Sequence, residues 1–131
     1  RLVADIVVDD EDFGGVAICL PAQLRLNSVL CSFLKDPERQ DIASASNYVT
    51  VWQTADDALP YTTMVKVARV RESPYTPTGG SGTLVLHMSL DESALKEEID
   101  SLGFCFELGA SDQGSYISWG TTYETVSVSL P

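Results

Sequence analysis

The chain has 131 residues, 44% of them hydrophobic and 21% charged, with 19 acidic against 8 basic side chains and a formal net charge of −11. That is enough for one domain, 1–131, burying roughly two-thirds of its unfolded surface. Such a negative balance argues against nucleic-acid binding, which needs cations to displace phosphate counterions, and against anionic membrane surfaces.

Leu2, Ala4, Ile6 and Val8 share one face of the opening stretch LVADIVVD, with Asp5 and Asp9 on the other, so 2–9 reads as a half-buried strand. VAICL, 16–20, is a short apolar run expected to be a buried strand. Beyond Pro21, the residues Leu26, Val29, Leu30, Phe33 and Leu34 take helical spacing until Asp36-Pro37, which predicts a helix over 22–35. Leu24 and Leu26, alternating around Arg25, make the competing case for an extended segment. A polar connection at 37–47 leads to strand 48–54, a turn at 56–60 and strand 62–72, the two strands forming a hairpin.

Residues 73–82 are rich in breakers and end in Gly79-Gly80-Ser81-Gly82. That run reads either as a native loop or as a flexible spacer of the engineered kind. Strand 83–89 follows. Ser89 and Glu92 have capping-box spacing, Leu95, Ile99 and Leu102 recur on one face, and Gly103 supplies a left-handed stop, which predicts a helix over 90–102. Segments 104–108, 115–119 and 122–130 complete the chain as three strands.

These elements sum to about eight short, mainly antiparallel strands and two helices, a β-rich α+β class. An all-β sandwich with one helix is the alternative. Three cysteines, Cys19, Cys31 and Cys105, are an odd number without CxxC spacing. They favour a reducing compartment over an extracellular disulfide framework. No signal peptide or transmembrane run is present, and the opening at Arg1 suits a fragment or a processed product.

Little in the chain is suited to reaction chemistry. Asp9, Asp10 and Asp12 form the acidic stretch that a calcium ion could use, although an EF-hand match fails because Gly14 and Pro21 stand where ligands belong. The competing reading is a solvated turn. His87 is the only histidine, which leaves few groups for proton transfer at neutral pH. A Cys–His dyad would need one of the three thiols beside it. Zinc ligand spacing, nucleophile elbows and phosphate loops are absent.

The residue types suited to holding a partner are Trp52, Trp119 and Tyr75, as aromatic anchors. Arg69 and Arg71, same-side neighbours on a strand, add one small basic spot able to grip a carboxylate. The expectation is therefore a non-enzymatic binding or assembly module, a domain of a larger protein, complex or particle. Its partner would be a protein or further copies of itself, with no nucleic acid and no membrane insertion. No cofactor is expected apart from calcium at the acidic stretch. Two alternatives are an acidic inhibitor or immunity-type protein blocking a basic site and a metal-dependent enzyme using the acids at 9–12.

Overall fold

The computed structural model describes residues 1–9, 11, 14–32, 38–40, 49–54, 59–68, 79–92, 94, 99–112 and 115–128. They hold nine strands: β1 (Leu2–Val8), β2 (Gly14–Pro21), β3 (Leu24–Cys31), β4 (Glu38–Gln40), β5 (Val49–Gln53), β6 (Tyr61–Val67), β7 (Gly80–Leu90), β8 (Ser101–Asp112) and β9 (Ser115–Ser127). One sheet has the order β1-β7-β3-β4 and the other β5-β6-β2-β8-β9, with every neighbouring pair antiparallel.

Period-two alternation explains how the sheets meet. Ile6 and Val8 of β1, Leu24 and Leu26 of β3 and Leu84 and Leu86 of β7 turn inward from the first sheet. Ile18 and Leu20 of β2, Val49 of β5, Val65 and Val67 of β6 and Leu102 and Phe104 of β8 meet them from the second, in one continuous core. Each fully buried Leu, Ile or Val adds about 1.5–3 kcal/mol over its exposed state, which holds two stacked sheets together without a disulfide, since none of the three cysteines is in one.

The α+β expectation is corrected: the described residues contain no α-helix, and the architecture is strand on strand. In place of the predicted helix 22–35 there is a turn at 22–23 followed by β3 over Leu24–Cys31, and residues 33–35 lie outside the described residues. A bulge explains the misreading. The register with β7 shifts between Leu26 and Ser28, so the buried apolar residues fall at 24, 26, 29 and 31, and Leu26, Val29 and Leu30 acquire the i, i+3, i+4 spacing of a helix.

The predicted helix 90–102 fails at both ends. Leu90 closes β7, opposite Leu24, and Ser101 and Leu102 open β8; residues 93 and 95–98 between them lie outside the described residues. Ser89, read as the helix cap, instead exchanges hydrogen bonds with the Asn27 side chain at 3.2 and 3.3 Å. Gly103, read as the stop signal, sits inside β8 opposite Thr125. Segments 115–119 and 122–130 are not two strands: Gly120 and Thr121 continue β9 through the place of the expected turn. No helix among the described residues is long and apolar enough to cross a membrane.

The two sheets are not in step along one side. β1 ends the four-stranded sheet, while β8 and β9 continue the other sheet beyond it. The inner faces of β8 and β9 are therefore partly bare, with Leu108 45% and Val126 53% exposed.

Candidate functional site

On the outer face of the five-stranded sheet, register places five residues in one line across all five strands. Trp52 of β5 stands opposite Met64 of β6, Met64 opposite Cys19 of β2, Cys19 opposite Cys105 of β8, and Cys105 opposite Tyr123 of β9. Directly opposed residues share a face, and their inward neighbours Val51, Val65, Ile18 and Phe104 belong to or pack on the core. At about 4.8 Å per strand the line is roughly 19 Å long. Its aromatic ends are the open parts, Trp52 59% and Tyr123 70% exposed, while Cys105 is buried between them.

One row along lie Lys66, Ala17, Glu107 and Thr121, again in cross-strand register. Between the rows, beside Trp52, is a hollow of about 330 Å³ whose lining includes Met64, Ala17, Lys66 and Glu107. An exposed tryptophan next to a part-apolar hollow with one cation and one carboxylate at its rim suits a partner's side chain, because aromatic anchors in desolvated pockets dominate interface energetics.

The Cys19 thiol at the centre of the line is held neutral. Burial pushes the Cys19 thiol from its ordinary 9.0 up to about 11, helped by Cys105, which also hydrogen-bonds it, and by Glu107. Partial desolvation, with Cys105, Tyr123 and Cys19 nearby, raises the Tyr61 phenol as well. Only the thiolate is a nucleophile, so at neutral pH Cys19 behaves as an apolar side chain.

A stability effect follows, with its sign set by linkage. The folded state keeps the Cys19 proton above pH 9.0, where the unfolded thiol ionises, so this contribution is complete below pH 9 and is lost as pH rises to about 11. Because the thiol is only part-buried, solvent screening reduces the loss to about 1 kcal/mol. Urea unfolding at pH 8 and pH 10.5 is expected to show the native chain losing that much more than Cys19→Ser, and parallel behaviour of the two would refute it.

Of the residues expected to hold a partner, Trp52 is on this face. Arg69, Arg71 and Tyr75 lie outside the described residues, and for Trp119 the description covers only the strand it occupies, β9. Asp10 and Asp12 are outside as well. The Asp9 carboxylate accepts the Glu11 backbone N–H at 3.0 Å, a local turn contact. Among the described residues no three His, Cys, Asp or Glu side chains are grouped to hold a metal ion.

His87 is exposed on the outside of the four-stranded sheet, opposite in facing to the buried Leu84 and Leu86. Cys19 and Cys105 face outward from the other sheet, and Cys31 lies in the core between, so no Cys–His dyad forms. The parts of the line not anticipated from sequence are Met64, Cys19, Cys105 and Tyr123. Cys19 lay in a run read as buried on both faces, and the alignment of all four needs the register.

No family model matches the chain, and neither does any curated protein. Among solved structures it is similar to the collagen-binding subdomain of the Enterococcus faecalis surface protein ACE, at 9% identity and a TM-score of 0.44, over 95% of this chain and 82% of that one. A likeness this loose carries no argument about function.

Proposed function

We propose that the chain is a non-catalytic protein-binding or assembly module that docks through the outer face of its five-stranded sheet. The observation that supports this is the line from Trp52 to Tyr123: two large aromatic side chains left mostly in water at opposite edges of a face whose centre is apolar. Single exposed apolar residues are ordinary, whereas aligned ones beside a hollow have the make-up of an interface centre.

The test is recovery of a protein partner from native extract by immobilised chain, compared with Trp52→Ala/Tyr123→Ala. Both residues are exposed, so the double variant keeps its stability within about 0.5 kcal/mol per site, and its recovery is expected to fall at least tenfold. Undiminished recovery would discard this face. The net charge of −11 supports a second reading, an inhibitor that occupies a basic site. Binding that collapses between low and moderate salt while ignoring the aromatic pair would favour it.

A further inference from the structure

The geometry points to a second, independent interaction surface: the free edge of β1 takes up an extended, basic polypeptide strand from another protein. The strand would join the four-stranded sheet and cover the bare inner side of β8 and β9.

The backbone supplies the first part of the argument. On β7, the Thr83 carbonyl accepts the Ser32 N–H and the Thr83 N–H donates to Ser32 Oγ, so the odd-numbered residues of β7 direct their main-chain groups toward β3. Its even-numbered residues therefore pair with β1, through Leu2↔Leu86, Ala4↔Leu84 and Ile6↔Gly82. Antiparallel alternation then turns the N–H and C=O groups of Val3, Asp5 and Val7 away from the sheet. Among the described residues no strand pairs with that side of β1. A row of donors and acceptors at strand spacing recognises one chemistry, an extended peptide backbone.

The side chains supply the second part. Two hollows, of about 320 and 530 Å³, run along this edge and share Phe106 in their walls. β1 forms one wall, joined in the larger hollow by Leu24 of β3 and Met88 and Leu90 of β7, and the inner faces of β8 and β9 form the other, including Leu108 in the smaller hollow and Val126 in the larger. A strand hydrogen-bonded to β1 would lie about 4.8 Å beyond it and about 10 Å above the second sheet. Its alternate side chains would fall on Phe106 and Leu108. The pattern required of the visitor is thus apolar at every second position.

Charge decides between a second copy and another protein. Of the charged residues lining the two hollows, Glu124 shares the inward face of Phe104, Asp5 and Glu107 stand at the rim with their side chains on the outer faces of their sheets, and Arg1 is the one cation. Two copies each carrying −11 repel one another, whereas a strand with Lys or Arg between its apolar residues is attracted.

The test uses labelled peptides of about nine residues, long enough for one strand, and fluorescence anisotropy. One alternates valine with lysine and threonine, the second has glutamate for lysine, and the third has proline for threonine. The basic peptide is expected to bind at least tenfold more tightly than the acidic one, and the proline peptide not at all. Val7→Pro removes an outward N–H without touching the ladder to β7, and Leu108→Arg fills the hollow from an exposed position. Each is expected to weaken binding at least tenfold with its thermal midpoint kept, while Trp52→Ala leaves it unchanged.

Amides of Val3, Asp5 and Val7 should gain hydrogen-exchange protection on binding. Absence of binding, equal binding of all three peptides, or indifference to Leu108→Arg would overturn the inference. So would a concentration-dependent dimer protected along β1. Loss of native-partner recovery in Trp52→Ala/Tyr123→Ala, with these peptides failing, would leave the outer-face reading standing and remove only this one.

Discussion

Leu86→Ala is expected to lower the unfolding free energy by about 3 kcal/mol, the middle of the range for a buried Leu→Ala change. Leu86 is 0% exposed and sits on β7, between Leu2 of β1 and Val29 of β3. Truncation removes apolar contacts and leaves a void that two hydrogen-bonded neighbours prevent from collapsing. The same change on β1 at Val3, which is 56% exposed, should cost less than about 0.5 kcal/mol. Urea melts of the two variants make the comparison, and equal losses would contradict the inward facing of Leu86.

Gly79→Ala is expected to be as damaging, about 3 kcal/mol, although it adds only a methyl group. A Cβ at Gly79 would overlap the backbone carbonyl of Asp9 and lie 3.1 Å from the Val8 oxygen. The obstacle is main chain rather than a side chain able to swing aside, so the connection leaving β1 must shift. The next residue, Gly80, has φ of 150°, a region that L side chains rarely occupy. Gly80 pairs with Val8 at the end of the β1–β7 ladder, so the glycine pair permits the close approach that seats β1. Thermal unfolding with exchange at β1 amides would check this. A stability loss without increased exchange in β1 would place the damage elsewhere.

Much of the strand content was legible because alternation is local. β1, β2, β5, β6 and β7 fall within a few residues of their expected places, and the β5–β6 hairpin forms in register from Val49↔Val67 to Gln53↔Thr63. The fold class was not legible, and even the all-β alternative carried a helix that the described residues lack. One extra residue in β3 converted a period of two into an apparent period of 3.6. Ser89 and Glu92, at capping distance, belong to a chain in which Ser89 is already in β7. In both places pairing with a distant strand overrode the local pattern.

The candidate sites show the same division. Trp52 was a reasonable choice because tryptophan on an alternating strand has even odds of facing out, but its companions lie 12, 33, 53 and 71 positions along the chain. By itself the sequence determined the acidic balance, the three cysteines without CxxC spacing and the alternation that splits most strands into an inner and an outer side. Tertiary structure decided which strands are neighbours, and with that the line from Trp52 to Tyr123 and the edge of β1 that no described strand pairs with. Alternation is written residue by residue in the chain, whereas register is chosen by the joint burial of two sheets, an energy that belongs to no single segment.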